Sequence, residues 1–246
     1  GGGCTSAGAK DSHWGADYFP NVSLVTQDGK SVRFYQDLIK DKKVIINFIY
    51  ASCQQTCGLA TARLAQVQKR LGSRVGRDIF IYSITLDPEH DTPEVLKKYT
   101  RAFHAGPGWL FLTGRSEDID AVRFKLGERT EKLEEGHNND VRVGDGAEGR
   151  WMKLPLFDDL DALLVEIGKW LGTDSSAGTP VSYADAPRLP VPVPGQSLFQ
   201  NRCAACHTIG RGDLLGPDLR GVTARRDRDW LAHFIAAPDQ MLARKD

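Results

Sequence analysis

Residues 43–64 read KVIINFIYASCQQTCGLATARL. The first seven are an almost continuous apolar run, as expected for a central strand covered on both faces of a sheet. A polar turn carrying Cys53, Gln54, Gln55, Thr56 and Cys57 follows, and then a helix predicted over 59–71 with Ala62, Ala65 and Leu71 among its apolar positions. The two cysteines therefore stand at the carboxyl end of a sheet strand, where open α/β sheets put their ligands. A helix that starts at or near Cys57 lowers the pKa of a thiol at its N-terminus and stabilises the thiolate. Two soft thiolates favour Cu(I) or Zn(II) over Mg or Ca, and the same pair could instead close into a small-ring disulfide.

Strands and helices alternate on either side of this stretch. Segments 22–25 and 31–34 flank Gln27-Asp28-Gly29-Lys30, and Asp-Gly between β-formers signals a hairpin. Residues 79–86 (IFIYSITL) form a second buried strand. In Asp91-Thr92-Pro93-Glu94, Thr92 is a helix N-cap, Pro93 fits the first helical position and Glu94 meets the positive end of the dipole. Val95, Leu96, Tyr99, Ala102 and Phe103 form its apolar stripe. A short strand over 109–112, a helix over 117–126, a hairpin of 141–143 with 150–154 and a helix over 160–171 complete the series. The fold class is α/β, with a mostly parallel sheet made mixed by the late hairpin.

Composition limits the function. The 246 residues carry 32 Lys+Arg against 32 Asp+Glu, so a basic surplus for nucleic acid is absent. With 41% hydrophobic residues the chain can build real cores. No apolar run approaches the roughly 18 residues of a membrane helix. Cys4, behind Gly1-Gly2-Gly3, resembles the end of a bacterial lipoprotein signal, where the Cys is lipidated after cleavage, although Gly1 stands where a Leu is usual. A thiol in a flexible leader, residues 1–13, is the plain alternative.

Residues 173–194 hold Pro180, Pro187, Pro190, Pro192 and Pro194 and read as an extended, semi-rigid linker. It separates a first domain, 14–172, from a second, 195–246. The second is too short to be held by a core alone and needs a staple. Cys203-Ala204-Ala205-Cys206-His207 supplies one, since C-x-x-C-H is the attachment motif of haem c. Cys203 and Cys206 would bond the two vinyl groups, on a first helical turn, and His207 would be the axial iron ligand. A zinc site lacks further donors, and a redox pair lacks a βαβ context. A helix is expected over 195–202 and another over 229–236. Met241, behind the latter, is the candidate sixth ligand. The chain is expected to be truncated at Asp246, with the true sixth ligand beyond it.

Two stretches carry a family resemblance. NFIYASCQQTCGLATARL at 47–64, and IYSITLDPEHDTPEVLKKYTRAFHAGPGWLFLTG at 81–114, resemble the Sco/SenC copper-assembly proteins. The resemblance implies a thioredoxin-like fold for the first domain and copper held by Cys53, Cys57 and a histidine on a later loop, by position His137. Gly58 replaces the Pro that usually follows the second Cys, and Gly136 and Asn138 flank His137. His13, His90 and His104 are the competing histidines, and His90 lies on a loop that could approach the site. Gly216-Pro217-Asp218-Leu219-Arg220-Gly221 resembles the loop of class I cytochromes c whose Pro carbonyl holds the axial His ring. The second domain is accordingly expected to be a small all-α cytochrome c.

Together these imply a copper protein of the bacterial periplasm or outer face of the cytoplasmic membrane, with a fused haem c electron carrier. The expected partners are the copper-bearing subunit of cytochrome c oxidase, or another copper protein, and a redox partner protein. The rival is a thiol–disulfide oxidoreductase using Cys53 and Cys57 with electrons relayed through haem. A third reading is plain electron transfer, with the first domain as a docking module.

Overall fold

The computed structural model describes residues 15, 17–52, 57–129, 140–171 and 194–243. By compactness the chain divides into two units, Gly1–Ala205 and Cys206–Asp246. The division falls inside the C-A-A-C-H stretch, whereas the sequence suggests a break at the Pro-rich segment. Of that segment only Pro194 is described, and it opens a helix instead of ending an extended run. Its locked φ suits the first helical position.

The first unit is built on a seven-stranded sheet. Its strands are β1 (Ser23–Thr26), β2 (Ser31–Arg33), β3 (Lys43–Ile49), β4 (Ile79–Thr85), β5 (Trp109–Thr113), β6 (Asp140–Asp145) and β7 (Arg150–Pro155), in the order β2-β1-β5-β4-β3-β6-β7. β3 pairs in parallel with β4, and β4 with β5. β6 runs antiparallel to β3, with Arg142 opposite Ile46 and Asp145 opposite Lys43. The hairpin turn at Asp28-Gly29 closes as expected, with Gly29 at φ 76, a conformation that glycine adopts freely.

Period-two alternation splits the apolar strands between two cores. Ile45, Ile49, Ile79, Ile81, Trp109, Phe111, Val141 and Val143 face one side. They pack with Leu64 and Val67 of α1 (Cys57–Leu71), Leu96 of α2 (Pro93–Ala102), and Leu163 and Ile167 of α4 (Leu160–Leu171). Val44, Ile46, Tyr82, Ile84 and Leu112 face the other side, against Ile119 and Val122 of α3 (Ser116–Lys125) and a single π-helical turn, Phe34–Ile39. The sequence reading lacks that turn. On α2 the inward stripe is Leu96, Tyr99, Thr100 and Phe103, while Ala102 is exposed. α5 (Pro194–Arg202) lies in the same unit, and Leu198 on it is 59% exposed.

The second unit has three helices among its described residues: α6 (Val222–Arg225), α7 (Arg228–Ala236) and α8 (Pro238–Ala243). Asp227 caps α7 by accepting from the Trp230 N–H at 2.7 Å. Trp230 and Phe234 stack at 5.1 Å, and Arg226 lies over the Trp230 ring.

Candidate metal and haem sites

β3 ends at Ile49 and α1 begins at Cys57, so the two-cysteine turn bridges the carboxyl end of a central strand and a helix N-terminus. Residues 53–56, with Cys53, lie outside the described residues, as does the side chain of Cys57. Their surroundings are described. Asp91 is fully buried. Its Oδ2 accepts from the Ala51 N–H at 2.8 Å and its Oδ1 from the Ser52 N–H at 3.0 Å. Oδ2 also accepts from Thr85 Oγ1 at 2.6 Å, and Thr85 Oγ1 accepts from the Asp87 N–H at 2.9 Å. Next in the chain, Thr92 caps α2 as expected, its hydroxyl accepting from the Val95 N–H.

α2 also covers the start of α1. Tyr99 OH and Thr61 Oγ1 are hydrogen-bonded at 2.8 Å, and burial pushes the Tyr99 phenol up to about 12. The Phe103 ring sits against Gly58, where an added Cβ would meet it at 3.0 Å. That close approach gives a steric reason for Gly58: a bulkier residue requires the Phe103 ring to shift.

The topology also brings the start of β6 to this end. β6 is antiparallel to β3, so its first residue, Asp140, stands at the carboxyl end of β3. Residues 130–139, with His137, lead into it and lie outside the described residues. Both ends of that segment are anchored. Arg142 donates through Nε to Leu126 O at 3.1 Å and through Nη2 to Glu128 Oε2 at 3.4 Å, and its guanidinium lies over Phe48 of β3. Burial lowers the Arg142 pKa, opposed by the charge of Glu128.

The other histidines separate clearly. His90 is 72% exposed in its side chain and bound through Nδ1 to the Asp87 carboxylate at 2.9 Å, which raises its pKa. His104 lies beyond the far end of α2, exposed. His13 and Cys4 lie outside the described residues. Among the described residues no three His, Cys, Asp or Glu side chains group to hold a metal. Sequence reasoning passed over Asp91 and the pair Arg142–Glu128. A signal for Arg142 was present, an arginine between Val141 and Val143 in an otherwise apolar strand.

The haem motif follows the carboxyl end of α5, not a first turn: the N–H groups of Cys203 and Ala204 both reach Phe199 O, at 2.8 and 2.9 Å. Burial pushes the Cys203 thiol up. His207 Nδ1 is hydrogen-bonded to Pro217 O at 2.9 Å, the bond that the GPDLRG loop led us to expect. This leaves Nε2 as the ring atom for a metal. Gly216 lies against the ring, and a Cβ there would stand 2.4 Å from His207 Cε1. Asp218 holds the loop by accepting from the N–H groups of Gly210, Gly212 and Arg220 at 2.7 to 2.8 Å. These backbone bonds keep its carboxyl below the usual range. A haem c fits this donor set. Met241 follows α7 and lies within a further short helix, α8, half-buried.

Comparison with known proteins agrees with this architecture. Residues 11–143 match the SCO1/SenC family model, and residues 192–244 match the cytochrome c model. A SCO1 protein homologue of Bacillus subtilis is 30% identical over 133 residues, covering 52% of this chain and 67% of its own. A SCO2-like protein of Rickettsia felis is 33% identical over 106 residues, 43% of this chain and 49% of its own, so this chain spans about half of that relative. Among solved structures, a SCO1/SenC family lipoprotein of Bacillus anthracis aligns with a TM-score of 0.53 at 23% identity, over 67% of this chain and 99% of its own. Yeast Sco1 with copper bound aligns with a TM-score of 0.50 at 22% identity, over 63% and 88%. At these identities the two structures speak for the thioredoxin-like fold. No helix among the described residues is long and apolar enough to cross a membrane.

Proposed function

The chain belongs to the SCO1/SenC family, and from that premise we propose that it takes up copper through Cys53, Cys57 and His137 and passes it by ligand exchange to the copper centre of a respiratory oxidase. The observation that carries this reading is the bridging of β3 and α1 by the two-cysteine turn, with β6 returning from the His137 segment at the same end of the sheet. Two thiolates and an imidazole are a soft set suited to Cu(I). The place of action is outside the cytoplasm, in the periplasm or at the outer face of the cytoplasmic membrane, and a lipidated Cys4 would attach the chain there. The partners are the copper-bearing subunit of the oxidase, or another copper protein, and a redox protein.

The cytochrome c segment makes haem c the second cofactor. Cys203 and Cys206 would hold it by thioether bonds and His207 would ligate the iron through Nε2, with Pro217 orienting the ring. A haem bound there supplies one-electron transfer. Met241 is the methionine of this segment and the candidate for the sixth position.

Thiol–disulfide exchange is the second reading, favoured by the position of Cys57 at a helix N-terminus, which stabilises a thiolate for nucleophilic attack as well as for metal binding. Copper titration of the reduced full chain separates the two. The copper reading expects stoichiometric binding that is lost in Cys53→Ala and Cys57→Ala and altered in His137→Ala. Turnover of a disulfide substrate without metal, together with weak, non-stoichiometric copper binding, would overturn it.

A further inference from the structure

We propose that Asp91 is a positioning residue for the two-cysteine stretch: its carboxylate fixes the backbone at Ala51 and Ser52, the residues through which the chain enters that stretch from β3. This deepens the copper reading above and rests on it. Asp91 is fully buried and makes no ion pair among the described residues. A buried carboxylate is costly unless its oxygens are hydrogen-bonded. Here both oxygens accept from consecutive backbone N–H groups, Ala51 at 2.8 Å and Ser52 at 3.0 Å, and Thr85 Oγ1 adds a third bond at 2.6 Å. Ser52 is the residue directly before Cys53.

The anchor is rigid on its own side. Thr85 is the last residue of β4 and pairs with Ile49, the last of β3. Leu86 N–H donates to Ile49 O at 2.9 Å, and Asp91 N–H to Asp87 O at 2.9 Å. Asp91 thus belongs to a turn closed on the adjacent central strand, and α2 starts two residues later. Its carboxylate ties that frame to the chain at the point where β3 becomes the cysteine turn. The two N–H groups meet separate oxygens, Ala51 at Oδ2 and Ser52 at Oδ1, and a side-chain amide would turn an NH2 donor towards one of them. Groups that orient metal ligands from behind are worth about 10–100-fold in metal affinity.

The test is Cu(I) affinity of the reduced full chain by competition with a chromophoric chelator, with the thermal transition of the metal-free chain recorded alongside. Asp91→Asn keeps the size but offers one acceptor. It is expected to weaken Cu(I) binding by about tenfold or more at a temperature where circular dichroism shows the chain folded. Tyr82→Phe removes a buried hydrogen bond to Leu38 O in the other core and leaves the Asp91 bonds in place. It is expected to lower the thermal midpoint while holding affinity within about twofold. Should Asp91→Asn fail to fold, Asp91→Glu, which keeps two acceptors but displaces them by one methylene, is expected to show the same loss. Native affinity in a folded Asp91→Asn or Asp91→Glu chain would overturn the inference, as would equal losses of affinity in Tyr82→Phe and Asp91→Asn. Cys53→Ala and Cys57→Ala mark the separate failure: if they leave copper binding intact, the copper reading falls and this one with it.

Discussion

Arg142 and Glu128 form an ion pair at 3.4 Å with side chains only 5% and 3% exposed, and they stand at the two ends of segment 130–139. The guanidinium is further held by Leu126 O, Asp140 O and the Phe48 ring. Removing one partner of such a pair leaves a buried charge without compensation, at a cost of about 3–5 kcal/mol. Arg142→Met alone is therefore expected to lower the unfolding free energy by about that much in denaturant titration. The double variant Arg142→Met, Glu128→Leu should recover most of it, because neither charge remains. A double variant as unstable as the single one would show that the pair's hydrogen bonds, not the charge, hold this region.

The second unit should loosen in acid. The three backbone N–H groups on Asp218 hold its folded-state pKa below the unfolded value of about 3.9. The stability they add is present above that value and is lost as pH falls through the folded-state pKa. The His207–Pro217 bond sits on the same loop, so the ferric haem spectrum of the loaded chain should change over this acid range. In Asp218→Asn the change should be present already at neutral pH and vary little with acid. A variant that titrates like the parent would remove Asp218 from the explanation.

His104 closes α2 with φ 53, in the left-handed region, while its N–H reaches Arg101 O and that of Ala105 reaches Thr100 O. Glycine is the residue that adopts this helix end without strain. The strain relieved outweighs the extra freedom of the unfolded chain, so His104→Gly should stabilise by about 0.5–1 kcal/mol. Its thermal midpoint should rise by a few degrees in calorimetry. A fall would mean that the exposed imidazole makes a stabilising contact.

Gly216→Ala should disable the haem site without touching a ligand. The new Cβ would lie 2.4 Å from His207 Cε1 and 2.7 Å from its Nδ1, so the ring must leave the Pro217 carbonyl. The yield of chain with His-ligated haem is expected to fall about tenfold, read from the Soret spectrum of periplasmically expressed protein. A parental spectrum and yield would show that the loop yields instead of the ring.

Much of this protein follows from its sequence alone. The apolar runs of β3 and β4, Asp28-Gly29 and Thr92-Pro93 mark strands, a turn and a helix start because their chemistry acts over a few residues. The spacing of the four paired cysteines names the kinds of chemistry in the same local way. Tertiary structure alone decided what covers those elements. Nothing near Asp91 in the chain indicates that its carboxylate bonds to Ala51 and Ser52, forty and thirty-nine residues away. The pairing of Arg142 with Glu128, 14 residues apart in the chain, and the fit of Phe103 over Gly58 are likewise products of packing. A buried polar group must find a partner, but which partner depends on strand order and register, and those are set by the whole sheet at once.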